Sequence, residues 1–200
     1  MNDKLKQQWL SPIILILIIV TLQICNSLVS ATMEFDRFAI QQGEWWRILS
    51  GHLLHANNWH LAMNVAAFAI ILAVQGMHLN FARFAVLLFA GCLLIGLEMF
   101  FLSPSMIIYT GLSGWLHCLI VWGACADIVK HWSSGWLILI GVFCKVTWEQ
   151  IHGGSADVVA LIGVDVAVDA HLYGALTGLL LFFVMQSIPP LAVVRASKAA

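Results

Sequence analysis

Long apolar stretches separated by short polar interruptions organise this chain of 200 residues. Six of them run over residues 9–30, 58–76, 81–102, 113–130, 134–151 and 169–188. At 1.5 Å of rise per residue, a helix of about 20 apolar residues crosses a bilayer. The pattern predicts an all-α membrane protein: one six-helix bundle forming a single domain over residues 1–200. The longest polar interruption, at about 31–57, holds Glu34, Asp36, Arg37, Glu44 and Arg47 beside Trp45 and Trp46. Tryptophan favours the membrane interface because its ring is apolar while its N–H reaches water, so this segment reads as a structured interfacial loop. A second loop, at 152–168, carries Gly153, Gly154 and Gly163 and reads as a mobile lid. Residues at about 189–200 read as a short tail.

Composition agrees with the pattern. Charged residues make up 10% of the chain and hydrophobic ones 62%, whereas a soluble domain carries roughly 25% charged residues. The net charge of −1 and the lack of a basic tract give nucleic acid nothing to bind. The five cysteines, Cys25, Cys92, Cys118, Cys125 and Cys144, lie in apolar stretches without paired spacing. They read as buried free thiols rather than disulfides or metal ligands. The first apolar run follows Lys4 and Lys6 like a signal peptide, but no small-x-small cleavage site follows, so it reads as a retained span.

Charge sets the orientation. With the amino terminus inside, Lys4, Lys6, Arg83, Lys130, Arg195 and Lys198 collect on the cytoplasmic side, and only Arg37 and Arg47 stand outside. Both termini are then cytoplasmic. Ser113 opens the fourth span and His171 the sixth, so both lie toward the external leaflet.

A serine and a histidine at that depth are costly unless they face a protein interior. They match a nucleophile and its general base. Ser113 sits in Gly111-Leu112-Ser113-Gly114 at a helix start, where free N–H groups favour an oxyanion; the alternative is an N-cap serine. His171 lies a turn above Gly174, which with Gly178 forms a Gly-x-x-x-Gly face for close helix approach. The alternative there is a packing face with an incidental histidine. In His52-x-x-His55-x-x-x-x-His60-x-x-x-Asn64, His60 and Asn64 share one helix face and suit oxyanion stabilisation. Rival readings of this run are a three-histidine zinc site and a plain interhelical hydrogen bond. Lys145 and Glu149, four apart in the fifth span, either neutralise each other or place Glu149, beside Trp148, at a substrate gate. Glu98 pairs with Lys145 or with a histidine of the second span, and Asp165 or Asp169 caps the sixth.

Taken together, Trp46-Arg47, then His55/His60/Asn64, then Gly111-Leu112-Ser113-Gly114, then Ala170-His171-x-x-Gly174-x-x-x-Gly178 resemble the rhomboid family of intramembrane serine proteases over about residues 43–180. The resemblance implies Ser113 as nucleophile and His171 as general base, a dyad without an aspartate. It implies an oxyanion hole of His60, Asn64 and the Ser113 N–H, and a mobile gate at the fifth span. Many rhomboids carry a tyrosine four residues after the serine; this chain has His117, on the same helix face, as a support for His171. Gly-Leu-Ser-Gly-x-Leu-His resembles the rhombosortase branch. That branch implies cleavage of bacterial exported proteins bearing a C-terminal Gly-Gly, apolar helix and basic tail, in the bacterial inner membrane. Membrane-anchored substrates and the lipid bilayer are the implied partners, with a monomer as the working expectation and no metal or organic cofactor. Alternatives are a general rhomboid protease of single-span proteins and a non-proteolytic rhomboid-like binding protein. A metalloprotease lacks its His-Glu-x-x-His, and the aspartates Asp157, Asp165 and Asp169 cluster around one loop rather than on facing spans. A transporter would use Lys145, Glu149 and Glu98 but leaves the ordered serine, histidine and asparagine motifs without a role.

Overall fold

The structure is a computed structural model that describes residues 3–187, with side chains from Trp9 onward. The expected tail at 189–200, with Arg195 and Lys198, and the side chains of Lys4 and Lys6 lie outside the described residues. The elements are α1 (Asp3–Ile24), α2 (Asn26–Met33), β1 (Phe35–Asp36), α3 (Arg37–Gln41), α4 (Arg47–Ser50), α5 (Asn58–Gln75), α6 (Phe81–Leu102), β2 (Ile108–Tyr109), α7 (Ser113–Val129), α8 (Ser133–His152), α9 (Ala156–Ile162) and α10 (Val168–Ser187). It is an all-α membrane bundle apart from one two-residue antiparallel pairing, Phe35 with Tyr109 and Asp36 with Ile108. Residues 58–78, 81–102 and 168–187 are each long and apolar enough to span a bilayer, and the α1–α2 pair passes when taken together.

Helix α7 is the hub. Only 17 residues long, it buries residues on every side, from Gly114 and Trp115 to Cys125 and Asp127. Such an all-round apolar helix belongs inside a bundle, where neighbouring helices rather than lipid cover it. It packs most extensively on α10 and also on α8, α5 and α6. Small residues make the α7–α10 contact possible. A Cβ at Gly178 would stand 2.5 Å from the Cys118 carbonyl oxygen, and one at Gly114 would stand 2.9 Å from that of Ala170. Apolar tails match lipid as well as they match each other, so close backbone approach is what a membrane bundle has to hold such helices together.

Two expected boundaries change. The first span does not continue to residue 30, because the chain bends by 103° at Cys25. Asn26, Ser27, Ser30 and Thr32 follow the bend, and α2 buries none of its residues; these polar groups are better served at the interface than in the bundle. The expected mobile lid contains α9, whose Leu161 and Ile162 carbonyls accept from Asn57 Nδ2 at 3.1 and 2.8 Å.

The interfacial loop is pinned by two buried arginines. Arg37 donates to the carbonyls of Met99, Phe100 and Ser103, at 2.7–2.8 Å, and to that of Met106 at 2.7 Å. It thereby closes the carboxyl end of α6, where unpaired carbonyls and the helix dipole favour a cation. Arg47 pairs with Glu44 at 2.6 Å and donates to the Ala31 and Glu34 carbonyls. Elsewhere Glu98 accepts from Thr177 at 3.1 Å, joining α6 to α10 instead of meeting Lys145 or a histidine. All five cysteines are free; Cys92, Cys118 and Cys125 are buried as expected, whereas Cys25 is half-buried and Cys144 is exposed on α8.

Candidate active site

A short strap of loop carries the serine. Gly111 adopts φ +139°, a conformation that favours glycine, just before α7. Its N–H donates to the Gly51 carbonyl at 3.2 Å, and Tyr109 donates its hydroxyl to the Gly111 carbonyl. His52 lies 3.3 Å from that hydroxyl and is fully buried. Leu112 holds the N-cap position with helical dihedrals, so Ser113 is the first helical residue and not a cap. Its hydroxyl is directed at a neighbouring helix.

That helix is α10. Ser113 Oγ lies 2.9 Å from Nε2 of His171, whose ring is buried. The start of α10 is fixed by Asp169, which accepts from Ser103 Oγ at 2.5 Å, while Tyr173 lies 2.8 Å from the same hydroxyl. Asp169 is thus a tie to the α6–α7 loop rather than a helix cap, and Asp165 lies in the loop before α10. His117 stacks on His171 with ring centroids 4.3 Å apart and planes 21° apart. On the other nitrogen of His171, Nδ1, stands Glu149 Oε2 at 2.8 Å. Lys145 Nζ completes the cluster, 2.8 Å from Glu149 Oε2, 3.0 Å from His117 Nε2 and 3.2 Å from His171 Nδ1.

Opposite this cluster, α5 presents His60 and Asn64. The Ala56 N–H approaches His60 Nδ1 at 3.4 Å, which leaves the proton on Nε2. A Cβ at Gly111 would stand 3.0 Å from His60 Nε2 and 4.0 Å from Ser113 Oγ, so ring and hydroxyl flank the same small space. Asn64 is buried with its Nδ2 donor unpartnered among the described residues. A cavity of about 850 Å³ joins Ser113, His171, His60, Asn64, His117 and Glu149, and its remaining walls are largely apolar. A hydroxyl on an imidazole, beside two unspent donors, has the parts needed for attack on a carbonyl and for holding the resulting oxyanion.

The residues expected at a gate part company. Glu149 lines the cavity, whereas Trp148 is 63% exposed and stacks on His152 outside it. The zinc reading of His52, His55 and His60 finds no support: His52 meets Tyr109, and the His55 and His60 rings meet edge to face. Among the described residues, His117, Glu149 and His171 are close enough to share an ion. The Lys145 ammonium already stands among these three groups, within 3.2 Å of each.

The family model for the rhomboid domain matches residues 42–188. The chain belongs to the rhomboid family. Members of this family are generally intramembrane serine proteases, and the matched span includes every residue of the cluster just described. A search of curated proteins finds no match. In this rhomboid the acidic group at His171 had a visible signal, an i, i+4 Lys–Glu pair in an apolar helix. Spacing alone did not reveal that the carboxylate faces a histidine 22 positions later in the chain. The Asp169–Ser103 tie and the Arg37 cap were missed for the same reason, since both partners are 60 or more positions away.

Proposed function

We propose that the protein is an intramembrane serine endopeptidase with Ser113 as nucleophile, His171 as general base, and His60, Asn64 and the Ser113 N–H as oxyanion donors. The observation that carries this reading is the 2.9 Å contact between Ser113 Oγ and His171 Nε2 within the cavity that also holds His60 and Asn64. His171 Nε2 takes the Ser113 proton as Oγ bonds to the scissile carbonyl carbon, and the carbonyl electron pair moves onto oxygen. The oxyanion accepts from His60 Nε2–H and Asn64 Nδ2–H, an arrangement worth about 2.7–4 kcal/mol per donor in related chemistry. Collapse breaks the C–N bond, and the leaving amine takes the proton from His171. Water entering from the external side then resolves the acyl-enzyme by the same base.

Two finer points belong to the proposal. The motif Gly111-Leu-Ser-Gly-x-Leu-His117, with His117 stacked on His171, supports the rhombosortase branch and its Gly-Gly, apolar helix and basic tail substrates in a bacterial inner membrane. The distribution of lysine and arginine supports cytoplasmic termini and a site toward the external leaflet. The test is cleavage in proteoliposomes of two fusions, one ending in the tailed signal and one a generic single-span protein. The wild type cleaves the tailed fusion and Ser113→Ala cleaves neither. Cleavage that persists in Ser113→Ala overturns the protease reading. Equal cleavage of both fusions by the wild type overturns only the branch.

A further inference from the structure

We propose that Glu149 is the positioning residue of His171, so that Ser113 and His171 act with a third member supplied by α8. The proposal rests on the protease reading above, and it departs from a dyad in which the histidine has no acidic partner.

The hydrogen bonds assign the protons. His117 Nδ1 lies 2.7 Å from the Ser113 carbonyl oxygen, which only accepts, so this nitrogen carries a proton. In neutral His117, Nε2 is then an acceptor, and it receives a proton from Lys145 Nζ at 3.0 Å. Lys145 directs a second proton to Glu149 Oε2 at 2.8 Å. Two groups compete for His171 Nδ1: Lys145 Nζ, which can only donate, at 3.2 Å, and the Glu149 carboxylate, which has no proton to give, at 2.8 Å. The protons of Lys145 are met by Glu149 and His117, so the shorter contact sets the tautomer as a bond from Nδ1–H to Glu149. This leaves His171 Nε2 unprotonated, facing Ser113 Oγ. A base needs that tautomer; the other would place a proton where the serine proton has to go.

Placement on α8 argues against a solvated ion pair that merely neutralises itself. The helix buries only Gly135 and Val146, yet the Glu149 side chain is 13% exposed, against 45% for Lys145. The carboxylate turns inward to the imidazole while the ammonium keeps an exposed side. When His171 takes the serine proton, the positive charge forms beside a fixed carboxylate, and Nδ1–H does not move. Lys145 offsets the charge of Glu149 in the resting site, and His117, stacked on the ring and bonded to the serine's own carbonyl, holds the imidazole plane.

The test uses the full chain in proteoliposomes with the tailed fusion as substrate and a fluorophosphonate as an active-serine probe. Glu149→Gln keeps shape and removes charge. Its kcat and its rate of probe labelling fall by about 100-fold or more, with KM within threefold and the thermal midpoint unchanged. Glu149→Asp recovers at least tenfold of that loss. A purely structural role would instead lower the thermal midpoint and leave kcat of the folded fraction intact. Glu149→Gln activity within threefold of wild type, with Ser113→Ala inactive, overturns this proposal and leaves the protease reading standing. Activity in Ser113→Ala overturns the protease reading itself. Should Glu149→Gln fail to fold, 15N-histidine spectra of folded Ser113→Ala protein decide: His171 protonated at Nδ1 is expected, and protonation at Nε2 overturns the proposal.

Discussion

At the scale of single residues, the site contains polar groups left without a partner where a substrate would fit. Among the described residues, Asn64 Nδ2 is buried and unpartnered, and His60, whose Nδ1 faces the Ala56 N–H, turns its Nε2 proton to the space beside Ser113. Asn64→Ala and His60→Ala should each lower kcat by about 10²- to 10³-fold with little change in KM, read from initial rates on the tailed fusion. Gly111→Ala should damage activity through the same donor. Its Cβ would stand 2.8 Å from His60 Cε1, at a φ of +139° that side chains rarely adopt, a strain of about 1–3 kcal/mol. These residues were legible in the sequence because each signal is local: a four-residue spacing on one helix face, or a serine between glycines. Glu149 was legible as one half of a pair with Lys145 but not as the partner of His171. Helical spacing tells which residues share a face, not which helix lies across from it. Trp148 shows the same limit, since one position along α8 separates a cavity wall from an exposed ring.

At the scale of elements, hydropathy located most of the helices. The fourth and fifth expected spans, 113–130 and 134–151, correspond to α7 at Ser113–Val129 and α8 at Ser133–His152. Hydropathy does not see bends or depth, which is why the break at Cys25 and the helix inside the expected lid were missed. Arg37 is the clearest case of a residue whose loop was legible and whose partners were not. It reads as a charge of the interfacial loop, and within that loop it is buried as the cap of α6. Arg37→Ala should therefore cost stability rather than affect chemistry, by at least about 2 kcal/mol for the charged hydrogen bonds lost. A lower thermal midpoint with unchanged kcat per folded molecule is the expected outcome. The α7–α10 seam is tighter still. Gly178→Leu would drive a side chain into the Cys118 carbonyl and Val121, separating Ser113 from His171, so both folding yield and probe labelling should fall together.

For the molecule as a whole, the buried histidines ahead of α5 tie stability to pH. Burial pushes His52 down to about 4, and burial followed by the charge of His60 pushes His55 down to about 3. Both are neutral in the folded protein, whereas unfolded histidine titrates near pH 6.5. As pH falls from about 6.5 to about 4, the unfolded chain takes up protons that the folded one does not, so the unfolding midpoint should drop across that window. His55→Phe, which removes a ring whose nitrogens have no hydrogen-bond partner among the described residues, should flatten the slope. At this scale the family was legible because its motifs are spread in order along nearly the whole bundle, and the match over 42–188 agrees with them. The central claim is that His171 activates Ser113 for acyl transfer. Mass spectrometry of the fluorophosphonate adduct on the reconstituted protein tests it most directly. A single adduct on Ser113, lost in folded His171→Ala, is the predicted result; an adduct on another residue, or one on Ser113 that forms equally fast without His171, would contradict it.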